Sequence, residues 1–143
     1  MISRIYVMPK NESKRVNSYL IDSKLSKKDL TTLAEALTNP ILEKYFINKS
    51  PNMVDFSYAI EIGYLPGVTD NVGQTVKEMA TDLFHLKKDS NFSVYTSKIF
   101  FTESRKLEDV QKEALALYNP LIERAYITRV KSGKINLPNK VPE

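Results

Sequence analysis

The chain has 143 residues, a net charge of +4 and a pI near 9.2, which suits one domain that buries roughly two thirds of its unfolded surface and folds without covalent staples. It has no cysteine and a single histidine, His85, which excludes disulfides, thiolate metal sites, a cysteine nucleophile and a histidine-anchored metal centre or triad. No apolar run is long enough for a membrane span and no apolar segment follows the basic N-terminus, so the chain reads as soluble and cytoplasmic.

The first predicted element is a strand, Ile2 to Met8, followed by the polar turn Lys10 to Ser13 and a second strand, Val16 to Asp22. A helix comes next. Leu30, Leu33, Ala34 and Leu37 recur at helical spacing, and Ser26 with Asp29 resembles a capping box. Asn39-Pro40 ends it, because proline pushes the preceding residue out of the α region, and a strand runs on to Ile47.

Asp55 to Tyr64 is predicted as a strand with Tyr58, Ile60, Ile62 and Tyr64 on one face and Ser57, Ala59, Glu61 and Gly63 on the other. Pro66-Gly67 stops it, and Thr69 or Asp70 caps a helix from Asp70 to Leu86. Val72, Val76, Met79, Ala80 and Leu83 are its predicted apolar stripe. Gly73 in the first turn costs about 1 kcal/mol against alanine, so its presence suggests that another backbone or a partner comes close there. A strand from Phe92 to Thr102, a helix from Leu107 to Tyr118 with Val110, Ala114 and Leu117 inward, and a strand from Leu121 to Arg129 complete the pattern. The segment 131–143, with Pro138 and Pro142 and no periodicity, reads as a linker or tail.

Sliding the sequence against itself by 80 positions lays "NPILEKYFI", Asn39 to Ile47, over "NPLIERAYI", Asn119 to Ile127. The match continues upstream, where Asp29, Ala34, Ala36 and Leu37 meet Asp109, Ala114, Ala116 and Leu117, and Val16 to Asp22 falls on Thr96 to Thr102. The first half, residues 1–50, is thus a shortened copy of the second, 54–130, without a counterpart to the Asp70 helix. The expected fold is α+β with about six mainly antiparallel strands and three helices, internally duplicated as a fused pseudo-dimer over 1–130.

Little catalytic chemistry is in view. The carboxylates form no spaced pair suited to acid/base work. "PGVTDNVG", Pro66 to Gly73, could in principle hold an anion at a helix N-terminus, but it lacks a phosphate-loop lysine and the three-glycine fingerprint, and Asp70 would repel phosphate. A basic α+β module that binds nucleic acid is the alternative reading. Against it, the basic excess lies at the ends, in Arg4, Lys10, Lys14 and Arg15 and in Lys131, Lys134 and Lys140, while "SKIFFTES" (Ser97 to Ser104) lacks the glycine and aromatic spacing of an RNA-binding strand.

The stretch "IEIGYLPGVTDNVGQTVKEMATDL" resembles the strand, Gly-Val-x-Asp-x-x-Gly turn and helix that begin the PurS subunit of phosphoribosylformylglycinamidine synthase. "NFSVYTSKIFFTES" resembles the second member of that family's strand pair, and "LEDVQKEALALYNPLIERAYI" resembles its second helix, turn and closing strand, so the likeness covers about Phe56 to Val130. The family turn usually carries proline after the aspartate, where this chain has Asn71. In large single-chain forms of the synthase two such units are fused, as the repeat implies here. The resemblance implies a non-catalytic domain of an ATP- and glutamine-dependent ligase of de novo purine synthesis, bridging glutaminase and synthetase units in cis or in trans and supporting ammonia transfer. It implies no cofactor in this chain; ATP, magnesium and glutamine serve the parent enzyme. The expected partner-binding residues are Pro66, Gly67, Asp70, Asn71, Gly73 and Thr75. A tail ending in "INLPNKVPE" would suit the N-terminal domain of a longer polypeptide, with a free-standing subunit as the alternative.

Overall fold

The computed structural model describes residues 2–11, 14–87 and 91–139; Glu12 and Ser13 of the predicted turn and residues 140–143 of the predicted tail lie outside the described residues. The elements run β1 (Ile2–Pro9), β2 (Arg15–Asp22), α1 (Lys27–Leu37), β3 (Glu43–Ile47), β4 (Tyr58–Tyr64), α2 (Asn71–Phe84), β5 (Ser93–Thr102), α3 (Leu107–Leu115) and β6 (Glu123–Arg129). The fold is α+β. Six antiparallel strands form one sheet in the order β3-β1-β2-β5-β4-β6, with the three helices on one face. No helix among the described residues is long and apolar enough to cross a membrane.

The strand order repeats about the β2–β5 pair, and the register locates the relation. Asn17 lies opposite Lys98, and exchanging the two turns the Ser18–Ser97 pair into the Val16–Ile99 pair. The exchange moves β2 onto β5 by 98 − 17 = 81 positions, β1 onto β4 by 60 − 5 = 55 and β3 onto β6 by 123 − 43 = 80. The shift of 80 read from the sequence therefore holds for β3 but is one short for β2. A slip of one would send every side chain of that strand to the wrong face, and the loop between β5 and α3 absorbs the difference. The step from 55 to 81 leaves 81 − 55 = 26 residues present only in the second half, and they contain α2.

On the helix face, Ile5, Val7 and Ile21 pack with Leu30, Leu33 and Ala34 of α1 and with Val76 and Ala80 of α2. Ile60 and Ile62 pack with Val110 and Ala114 of α3. The α2 stripe is rotated from the one predicted: Gly73, Val76 and Ala80 are buried, whereas Val72 and Leu83 are exposed. Helix α3 stops three residues before Tyr118, leaving Leu117 exposed, and β6 starts two residues after Leu121. The cause lies in the Asn-Pro turns. Asn119 Oδ1 accepts the Leu121 N–H (3.0 Å) while Glu123 Oε1 accepts the Asn119 N–H (2.9 Å). Asn39, Ile41 and Glu43 repeat both bonds at the same lengths. Asparagine and glutamate close a reciprocal turn of the kind that ends a helix before a strand.

The opposite face carries no helix among the described residues. Over its β1 half, Tyr6, Met8, Val16, Ile99 and Phe101 are sealed by Met53 from the chain between β3 and β4, and by Ile135 and Leu137 after β6. The segment expected to be a linker or tail is thus packed as far as Leu137. Its backbone is tied down where Met53 N–H donates to Gly133 O (2.8 Å) and Ile135 N–H to Ser50 Oγ (3.1 Å). Both phenylalanines of "SKIFFTES" serve the interior, Phe100 toward α3 and Phe101 against Phe56 at 5.9 Å between ring centres.

Candidate functional site

Two residues make the turn after β4. Val68 N–H donates to Leu65 O (3.1 Å) with Pro66 and Gly67 between them, and Gly67 takes φ = +88°, as the third position of a type II turn requires. Both are exposed. Asp70 then caps α2, accepting the Gly73 N–H at 2.8 Å, and its second oxygen accepts the Thr96 N–H of β5 at 2.6 Å. Thr96 Oγ1 donates to the same carboxylate. One side chain therefore fastens the start of α2 to β5.

Gly73 is explained by the same junction. A Cβ there would stand 2.6 Å from Val94 O and 3.0 Å from the Asp70 carboxylate carbon, so the close approach inferred from the sequence is to the chain's own backbone. Asn71 and Thr75 are exposed, and Thr75 Oγ1 donates to Asn71 O (3.0 Å). The six residues predicted to meet a partner thus divide. Pro66, Gly67 and Asp70 border a groove on the helix-free face; Asn71, Gly73 and Thr75 do not line it.

The groove holds about 840 Å³. Gly63 and Ser97, opposite each other on β4 and β5, lie at its floor, with Tyr95, Arg124, Tyr126 and the Leu65–Val68 turn around them. Gly63 gives it depth: an added Cβ would meet only Ser97 Cβ, at 3.7 Å.

A buried ion pair bounds the groove. Arg4 Nη1 lies 2.6 Å from Glu61 Oε2 and donates to Ser18 Oγ at 2.7 Å, while Ser97 Oγ donates to the same Glu61 oxygen at 2.6 Å. Arg4 Nη2 donates to Pro138 O (3.1 Å), which ties the C-terminal segment to this cluster. Neighbouring Tyr6 has its hydroxyl pKa raised, chiefly by burial, with Arg4 opposing the shift and Glu61 adding to it. Sequence reading placed Arg4 only among terminal basic residues and Glu61 only on a strand face. Their partnership reaches from β1 to β4, across the middle four strands of the sheet, and leaves no local mark.

The internal exchange relates this groove to the sealed half of the same face. Tyr6, Met8 and Val16 correspond to Glu61, Gly63 and Ser97, and Phe101 and Ile99 to Leu20 and Ser18. Where one half is apolar and sealed by the chain, its counterpart is mostly small or polar, with Ser18 and Leu20 buried and Glu61, Gly63 and Ser97 part-exposed beside the groove. Its polar groups are satisfied by one another, Arg4 bonding Ser18 and Glu61 and Ser97 bonding Glu61, so the groove is lined by a closed polar network where the other half carries apolar packing. Among the described residues no cluster of acidic or histidine side chains could hold a metal ion, and His85, at the α2 C-terminus with φ = +54°, does not line the groove. No family model matches this chain, and no curated protein or solved structure matches it.

Proposed function

We propose that this is a non-catalytic, PurS-like bridging domain of phosphoribosylformylglycinamidine synthase, cytoplasmic, which docks the glutaminase and synthetase units and supports ammonia transfer between them. The observation that carries the docking role is the unequal helix-free face: one half sealed by the chain, its counterpart an open polar groove beside the Pro66-Gly67 turn. The duplicated sheet with one added helix agrees with the fused pseudo-dimer that the family resemblance implies. The parent enzyme would supply ATP, magnesium and glutamine chemistry from its other units.

Gly63→Leu tests the reading, because it fills the groove at a strand position with room for a side chain. In enzyme reassembled with synthetase and glutaminase, glutamine-dependent turnover is expected to fall by roughly ten-fold or more, as misplacement of docked units does, while ammonia-dependent turnover stays near wild type. Equal loss with both nitrogen donors would refute a role in coupling. Salt-sensitive RNA binding abolished by the same substitution would favour the nucleic-acid reading instead.

A further inference from the structure

The outer edge of β6 is the second feature of the chain that is left open. Leu65 N–H donates to Ile122 O and Val130 N–H to Ser57 O, so the even-numbered residues of β6 turn their backbone groups toward β4. The odd-numbered ones, Glu123, Ala125, Ile127 and Arg129, therefore turn theirs toward the free edge. β6 closes the sheet on that side. Exposed apolar side chains gather around it: Leu115 at the end of α3, Leu121 and Ile122 in the turn, and Tyr126 on the strand. Long edges with apolar surroundings are templates for pairing with another chain.

We infer that β6 pairs antiparallel with β6 of a second copy, about a twofold axis at Tyr126. That register sets Ala125 opposite Ile127 and joins outward amides to outward carbonyls. It also sets Glu123 of each copy opposite Arg129 of the other, so both ends of the ladder close on a charge pair. Glu123 Oε1 accepts the Asn119 N–H, which holds the carboxylate at the start of β6. The strand is its own complement in charge. The opposite edge, β3, is not: self-pairing about Tyr45 would set Glu43 against Ile47, and that edge is only five residues long. Because Arg124 and Tyr126 line the groove, the dimer brings the two grooves together at the axis. This association stands whether or not the bridging role does.

The chain has no cysteine, which allows a direct test by cross-linking with sedimentation velocity. At the axis the two Tyr126 residues form a non-hydrogen-bonded pair with Cα atoms about 4.5 Å apart, within reach of a disulfide. Oxidised Tyr126→Cys is expected to run as a covalent dimer, and Tyr45→Cys as a monomer. Arg129→Glu should weaken the wild-type dimer by about ten-fold. Ala125→Pro, which removes an outward N–H without touching the ladder to β4, should leave a monomer with an unchanged circular dichroism spectrum. A wild-type chain that stays monomeric at its highest soluble concentration would overturn the inference. So would a dimer indifferent to both Arg129→Glu and Ala125→Pro, or preferential cross-linking through Tyr45→Cys.

Discussion

Gly73→Ala sets two physical effects against each other, and the structure decides the sign. In a helix interior alanine is favoured over glycine by about 1 kcal/mol. Position 73 is closed to it: the new Cβ would lie 2.6 Å from Val94 O, a backbone atom of β5, and 3.0 Å from the carboxylate carbon of Asp70. Relief requires the first turn of α2 to lift from β5. Lifting strains the bond from Gly73 N–H to Asp70 and the bonds from Thr96 to the same carboxylate. Overpacking of this kind costs about 1–3 kcal/mol, and weakening the cap adds about 1 kcal/mol. Set against the propensity gain, the net expectation is a loss of about 1–3 kcal/mol. For a chain of 143 residues that lowers Tm by about 3–10 °C, at a few degrees per kcal/mol. Paired urea and thermal denaturation of the two proteins measures it. A Tm at or above wild type would show that propensity governs the site and would refute the close-packing account.

The polar cluster and the buried tyrosines give two further outcomes. Glu61→Ala leaves the Arg4 guanidinium buried without its carboxylate, and urea denaturation is expected to show a loss of about 3–5 kcal/mol, because breaking one side of a buried pair strands the other charge. At high pH, Tyr6 and Tyr19 both keep their protons longer in the folded chain than their ordinary 10.0, chiefly through burial. Their contribution is intact below about pH 10 and is lost as pH rises through the higher folded values, since only the unfolded chain then ionises freely. Stability measured from pH 9 upward should therefore fall less steeply in the Tyr6→Phe, Tyr19→Phe double variant, and an unchanged slope would contradict the assignment.

Local patterns carried most of the architecture. Alternation in Tyr58 to Tyr64, the helical spacing of Leu30, Leu33 and Ala34, and the cap Ser26 are consequences of neighbours within four positions and appear where the pattern placed them, while of the two cap candidates Thr69 and Asp70 the structure uses Asp70. The repeat made the sheet legible as two related halves. The features that escaped were set at long range. The rotation of α2 that exposes Val72 comes from how the helix seats on β5, and Arg4 meets Glu61 across four strands. Polar composition in 131–139 concealed Ile135 and Leu137, two residues apart on an extended segment and both buried. The candidate site was half visible for the same reason: a turn announces itself through Pro66 and Gly67, whereas the groove beside it is assembled from strands that are distant in sequence.

The asymmetry of the two halves has a common physical root. β5 runs for ten residues where β2 runs for eight, and the longer strand carries Val94 on the helix face. α2 covers Val94, using Val76 and Ala80, and reaches it only through the turn at Pro66-Gly67. The insertion thus does two jobs: it closes the helix-face core between the halves, and it raises a rim on the other face. There the chain has sealed Tyr6, Met8 and Val16 in apolar packing but left Glu61, Gly63 and Ser97 part-exposed beside the groove. An exact duplicate would have needed either two coverings or two openings. Making one half apolar and the other polar lets a single chain keep its sheet stable on one side while holding the other ready for contact.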